Sequence, residues 1–523
     1  MVTACTAVLA LVLAGCAQPT NTQPTSSPST NARSRAADEP AALQRFYTQK
    51  LAWSSCDKIF ECASLTVPLN YTNPARDTIQ LAVIRKQATD PVHRIGSLIT
   101  NPGGPGGSGV EFIKQNYPAQ PGQPSHFGPQ LRADFDIVGF DPRGVGQSAP
   151  ITCLTDDQLD HYLALAPAPT TPPEVNAVVS GDQAFDAGCQ THSGTLLPYV
   201  GTLNAARDMD ILRAALGDRK MYYLGASYGT YLGAVYAELF GTHIARAVLD
   251  GPVPPSLTAR QLDLGQAGGF QDELTRFIAD CVTHSDCPLG SDATTAEQKL
   301  ADFFASTQAH PLPTDTNRTV DEALAETGVL GTLYGSPTSW PLLRRALILA
   351  MADDGRGLLA LADLYNERDP KTGHYANDDM ANVAINCIDR PGPRSVDDVD
   401  TELPDFERTS PLIGASLAWG DLPCAYWPVP AQGRPHPIHY AGSPPILVIG
   451  TIHDPATPYP SAQEMAGELG SAVLLTYNGD GHTAYGRGSS CINTAVDAYL
   501  AQGTVPAAGT VCQPDPVPAT PTR

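Results

Sequence analysis

The stretch "YYLGASYGTYLG", residues 222–233, decides how the rest of the chain is read. An aliphatic and aromatic run ends in Gly225, a small residue, Ser227, a tyrosine and Gly229, and a helix-compatible segment follows. G-x-S-x-G at such a junction sets a serine on a tight turn at the carboxyl end of a strand, where a nucleophile stands clear of the sheet. The same residues also describe an ordinary serine opening an ordinary helix. In a glycine-rich chain of 523 residues the pattern arises by chance as well. The remaining sequence has to decide between them.

Composition narrows the field first. Hydrophobic residues make up 42% and charged residues 16%, the balance of a folding chain long enough for a large core plus a second unit. The 32 Lys and Arg stand against 54 Asp and Glu, and the net charge of −22 excludes nucleic acid as a partner. "AVLALVLAGCAQPT" is apolar up to Leu13-Ala14-Gly15-Cys16 and too short to span a bilayer. It resembles a bacterial lipoprotein signal (residues 1–16), with Cys16 lipidated and anchored in the membrane, although no Lys or Arg precedes the run. A plain secretion signal is the alternative, and both place the protein outside the cytoplasm. Residues 17–40, rich in Pro, Ser, Thr, Asn and Gln, read as a flexible tether. The folded part is expected to begin at Ala41.

Cys5 falls in the signal, which leaves an even set of ten cysteines beyond Cys16. In an exported chain this implies disulfides. Cys56/Cys62 and Cys281/Cys287 each look like a pinned loop, and pairing neighbours throughout adds Cys153/Cys189, Cys387/Cys424 and Cys491/Cys512.

Short apolar runs closed by turn signals read as buried parallel strands. They are Leu98-Ile99-Thr100, 135–140, the run before Ser227, 247–249, 446–449 and 473–476. Helical spacing lies between them, as in "TLNAARDMDILRAALG" with its Gly217 stop. The alternation predicts a doubly wound, mostly parallel α/β sheet with its ligands at the carboxyl ends of the strands. From residue 255 to 437 the pattern turns wholly helical, as in "FQDELTRFIADCV" and "SWPLLRRALILAMADD", and reads as a cap inserted between core segments 41–254 and 438–523.

A serine needs a histidine to take its proton, an acid to hold that histidine, and backbone N–H donors for the oxyanion. "NPGGPGGSG" (101–109) follows one strand, "HDPATP" places Asp454 after another, and "GDGHTAYG" places His482 after a third. The order is oxyanion loop, serine, acid, histidine, as in an α/β-hydrolase. That coincidence makes Ser227 the nucleophile.

The motifs "NPGGPGGSG", "FDPRGVGQS", "GASYGTYLG", "NCIDR", "GTIHDPATP" and "GDGHT" together resemble the prolyl and tripeptidyl aminopeptidase branch of the α/β-hydrolases over roughly residues 45–500. The resemblance implies Ser227 as nucleophile, Asp454 as acid and His482 as base. The oxyanion donors would be the N–H groups of Gly104, since Pro105 has none, and of Tyr228. Asp250 also follows a strand and is the rival acid, but the family's D-x-x-T-P pattern favours Asp454, with Thr457 shaping the turn near the histidine. His453 is expected to be a wall residue, "HPIH" (436–439) a surface loop, and Asp141 and Arg143 a structural pair supporting the oxyanion loop. The glycine-rich loop lacks the Lys-Ser/Thr of a phosphate loop. No metal or cofactor is expected. Asp389, in the cap, is the candidate for binding a substrate α-ammonium group, against a solvated acid or a partner of Arg390. The expected activity is an exported serine aminopeptidase acting on peptides. A carboxylesterase on the same triad, or an inactive peptide-binding lipoprotein, is the alternative.

Overall fold

The computed structural model describes residues 41–118, 125–335 and 337–516. The expected signal, Cys16 and the tether lie outside the described residues. Ten strands form one sheet: β1 Ser54–Cys56, β2 Phe60–Pro68, β3 Thr78–Lys86, β4 Gly96–Asn101, β5 Phe135–Phe140, β6 Met221–Ala226, β7 Ile244–Asp250, β8 Ile446–His453, β9 Ala472–Asp480 and β10 Val511–Cys512. Their order is β1-β2-β3-β5-β4-β6-β7-β8-β9-β10. β1, β2, β3 and β5 pair antiparallel in turn, and every pairing from β5 onward is parallel. This is the α/β-hydrolase fold.

The strands expected from apolar runs are those of the parallel part, where helices cover both faces and β4 and β5 are buried throughout. β2 and β3 escape that criterion because they alternate: "TIQLAVIRK" mixes exposed with buried positions along its length. β8 and β9 run further than their apolar cores, to His453 and Asp480, because the two strands stay paired there, His453 opposite Asp480.

Between β7 and β8 the described chain contains eight α-helices and no strand beyond isolated bridges. The first, Ala259–Cys281, starts on a reciprocal cap in which Thr258 Oγ1 accepts from Gln261 N–H and Gln261 Oε1 accepts from Thr258 N–H. Phe270, Leu274, Phe277, Leu300, Val329 and Leu343 give this region a hydrophobic core of its own. The helix Asp378–Asp389 departs from that pattern. Its Met380, Ala381, Ala384 and Ile388 pack into the core beneath the sheet, so it is bound to the α/β unit.

Five disulfides join Cys56–Cys62, Cys153–Cys189, Cys281–Cys287, Cys387–Cys424 and Cys491–Cys512. Cys491–Cys512 ties the helix Ser490–Gln502 to the two-residue β10, an element too short to hold itself by pairing alone.

Asp182 and Asp186 lie one turn apart on the helix Pro172–Ser193, both buried. Tyr162 Oη donates to Asp182 Oδ1 at 2.9 Å, whereas both oxygens of Asp186 are buried without a partner among the described residues. Burial, and for Asp186 the neighbouring Asp182, push the two carboxyls up to about 7 and about 8. The folded chain therefore holds protons here that the unfolded chain releases near pH 4, and stability falls as pH rises through the folded values. Asp186→Asn should raise the thermal midpoint by a margin that is absent below about pH 4 and grows to about pH 8. Melting curves across that range check this; a pH-independent margin would contradict it.

Candidate active site

Ser227 sits between β6 and the helix Tyr228–Phe240 with φ 54° and ψ −126°, a backbone conformation that side-chain-bearing residues rarely adopt. The surroundings hold it there. Ser227 N–H donates to Asp250 C=O at 2.9 Å, while its own carbonyl accepts from Thr230 N–H at 2.8 Å and Thr230 Oγ1 at 2.6 Å. Thr230 Oγ1 in turn accepts from Val253 N–H at 2.8 Å, so the turn is tied to the chain leaving β7. The oxyanion loop then closes on it. A β-carbon at Gly103, where φ is +108°, would fall 2.7 Å from Ser227 Cβ, so only glycine permits the approach.

Asp454 and His482 leave the ends of β8 and β9 side by side because His453 pairs with Asp480 and Gly481 N–H donates to His453 C=O at 3.1 Å. His482 Nδ1 lies 2.8 and 3.1 Å from the two oxygens of Asp454. Asp454 is 1% exposed and also accepts from Ala456 N–H, Thr457 N–H, Thr457 Oγ1 and Thr483 N–H at 2.8–3.1 Å. Every neighbour is a donor, so Nδ1 carries its proton toward the carboxylate and Nε2 is left unprotonated, able to accept a proton. Nε2 is buried without a hydrogen-bond partner among the described residues. A cavity of about 70 Å³, lined by Asn101, Ala226, Asp250, His482 and Arg487 among others, opens beside this ring.

Asp250 takes a different position. It accepts from Ala484 N–H and Tyr485 N–H at 2.8–3.1 Å, so it clamps the loop behind the histidine. Burial raises its carboxyl to about 6 against those bonds. Thr457 Oγ1 lies 3.3 Å from His482 Nδ1. His453 turns away from the cleft to Asp272 Oδ2 at 2.7 Å, on the first helix of the insertion. His436 and His439 bond separately, to Glu238 and to the carbonyl of Glu468.

In the oxyanion loop Asn101 Oδ1 accepts from Gly103 N–H at 3.0 Å and Gly107 N–H donates back to Gly103 C=O at 3.2 Å. The Gly104 N–H has no acceptor among the described residues. Tyr228 N–H, at the first helical position, has none within its helix. The expected pairing of Asp141 with Arg143 does not occur. Asp141 accepts from Ser108 Oγ at 2.6 Å and Val110 N–H at 3.1 Å, anchoring the far end of this loop. Arg143 is buried in a two-pronged ion pair with Asp208, 2.7 Å on each prong.

Asp389 is buried, and both its oxygens are engaged by Thr202, at 2.8 Å from N–H and 2.5 Å from Oγ1. Thr202 Oγ1, having donated its proton, accepts from Tyr228 Oη at 2.5 Å. Asp389 thus holds the side chain of Tyr228, which follows Ser227, an engagement that argues against an amine clamp, and burial raises its carboxyl to about 6.

The helix that ends in Asp389 begins with two further acids and starts against the oxyanion loop. A β-carbon at Gly106 would lie 2.3 Å from Asp378 C=O, and Asn382 Nδ2 donates to Pro105 C=O at 2.9 Å, so the start of the helix Asp378–Asp389 rests on the loop. Asp378 and Asp379 are pushed up to about 8 and about 7 by burial and then by the nearby Glu367. No cation pairs with any of the three among the described residues. "ANDDM" reads in sequence as a helix start, since acids belong in a first turn, and that ordinary pattern hid these residues. Tyr334 was equally hidden. Its carbonyl accepts from His482 N–H at 3.0 Å and its ring meets the imidazole edge-on at 5.4 Å.

The TAP-like protein family matches residues 410–512. The chain is 38% identical over 463 residues to serine protease Hip1 of Mycobacterium tuberculosis, covering 86% of this chain and 87% of that protein. It is 37% identical to carboxylesterase B of the same organism, covering 92% and 94%. It is 32% identical to a tripeptidyl aminopeptidase of Streptomyces lividans, covering 89% and 87%.

Proposed function

The chain belongs to the TAP-like family of α/β-hydrolases and is a serine hydrolase, and we propose that it is an aminopeptidase working through Ser227, His482 and Asp454. His482 Nε2 takes the Ser227 proton as Oγ attacks the scissile carbonyl carbon. The oxyanion falls to the N–H groups of Gly104 and Tyr228. Collapse breaks the C–N bond, the leaving amine carries off the proton from His482, and water regenerates the serine by the reverse sequence. Asp454 keeps Nδ1 protonated and stabilises the imidazolium. Each oxyanion donor contributes roughly 10²–10³ in rate.

Five disulfides fit an extracytoplasmic protein, and among the described residues no helix is long and apolar enough to cross a membrane. Attachment through a lipid on Cys16 remains part of the proposal.

The observation that carries the peptidase reading is that the helix bearing Asp378 and Asp379 begins against the oxyanion loop, with Glu367 near enough to raise both acids and no cation paired with any of the three among the described residues. An α-ammonium entering there meets partly desolvated carboxylates and restores their charge balance. Measuring kcat/KM on matched free-amine and N-acetylated peptides tests it. Acetylation should cost at least tenfold, and Asp378→Asn/Asp379→Asn should remove most of that preference while sparing a small neutral ester. Such an ester uses the triad without the anchor, which accommodates a relative named as a carboxylesterase at similar identity. Equal rates on free and acetylated peptides would favour the esterase reading.

A further inference from the structure

A file of aromatic rings leads away from His482. Tyr334 meets the imidazole edge-on, Phe270 backs Tyr334 at 5.4 Å, and Tyr365 follows with its ring 5.5 Å from that of Tyr334. The helix Arg356–Tyr365 buries Leu358, Leu359, Leu361 and Ala362 in the core of the insertion. Its last two residues break away from that face: Leu364 is 73% exposed and Tyr365 is 45% exposed. Apolar surface of this size left open costs free energy that a surface residue need not incur. On one side Tyr365 is linked to His482 through the ring of Tyr334. On the other side the Tyr365 phenol, raised chiefly by burial, also feels the charge of Asp379, and Glu367 lies two residues on.

We infer that Tyr334 and Tyr365 form an apolar subsite for side chains on the acyl side of the scissile bond, between the amine anchor and the nucleophile. This rests on the aminopeptidase reading. A peptide held by its α-ammonium near Asp379 and by its carbonyl carbon at Ser227 must lay its intervening residues across the tyrosines. The substrates favoured are peptides with apolar or aromatic residues next to the free N-terminus, since a ring face offers these offset or edge-on contacts.

The chemistry separates the two sides of the bond. The acyl group stays on Ser227 after the amine has left, so an acyl-side contact acts on both acylation and deacylation, whereas a leaving-side contact acts on acylation alone. The test uses full-length Tyr365→Ala and Tyr365→Phe on two peptide series. One varies the acyl residue with a constant leaving group, and the other varies the leaving group with a constant acyl residue. Tyr365→Ala should lower kcat/KM roughly 10–100-fold for apolar acyl residues and little for glycine or alanine. Deacylation, followed by pre-steady-state burst, should change in the same order, and Tyr365→Phe should keep the preference. A loss that follows the leaving group, or one uniform across acyl residues, overturns the subsite alone. Failure of a fluorophosphonate to label wild-type Ser227 overturns the triad beneath it as well.

Discussion

Ser227→Ala is expected to lower kcat on a free-amine peptide by on the order of 10⁶-fold, with KM changed by no more than a few-fold. The loss is that large because the covalent route is gone. Without the Oγ–C bond no acyl-enzyme forms and His482 has no serine proton to take, so the N–H groups of Gly104 and Tyr228 assist only direct attack by water. The fold should be indifferent. The hydrogen bonds that tie Ser227 to Asp250 and Thr230 all run through its backbone, and alanine keeps the β-carbon that the turn already accommodates. The thermal midpoint should therefore match wild type. A variant that melts normally, hydrolyses peptides at near-normal rates and still captures a fluorophosphonate would place the nucleophile elsewhere.

Much of this architecture was legible because chemistry and topology coincide at strand ends. The junctions holding Ser227, Asp454 and His482 each combine an apolar run with a turn that only certain residues permit, so composition, periodicity and motif agree. The antiparallel edge was less legible, since β2 and β3 alternate and carry no motif. Side-chain partnerships across long separations were not legible at all. Arg143 lies two residues from Asp141 yet pairs with Asp208, because the fold brings the carboxylate to a guanidinium already surrounded by carbonyls of Pro68, Leu69 and Tyr199. Asp389 drew notice for its charge in the insertion, and its helix instead turns it inward onto Thr202. Tyr334 and the acids at 378 and 379 owe their place to the docking of the insertion onto the oxyanion and histidine loops. No local pattern encodes that contact.

Asp454→Asn should lower kcat by roughly 10⁴-fold while leaving substrate binding within a few-fold. The reason lies in the donors around the carboxylate. Oδ1 accepts from Ala456 N–H, Thr457 N–H and His482 Nδ1, and Oδ2 from Thr457 Oγ1, Thr483 N–H and His482 Nδ1. An amide must turn its NH₂ toward one of these groups. At Oδ1 it would face two backbone N–H donors, so it goes to Oδ2, where the threonine hydroxyl can rotate to accept. His482 Nδ1 can also accept there, but only by giving up its proton, which then sits on Nε2 and disables the base that Ser227 needs. Asp250→Asn provides the contrast, since the Asp250 carboxylate bonds only to backbone N–H groups of residues 484 and 485 among the described residues and to no imidazole nitrogen. It should loosen the histidine loop and lower the thermal midpoint, yet retain far more turnover than Asp454→Asn. Because tautomer choice precedes any contact with substrate, a small ester should suffer the same loss as a peptide in Asp454→Asn. If Asp250→Asn proves the more damaging to kcat, the acid of this triad is Asp250, and the hydrogen bonds converging on Asp454 serve only the turn.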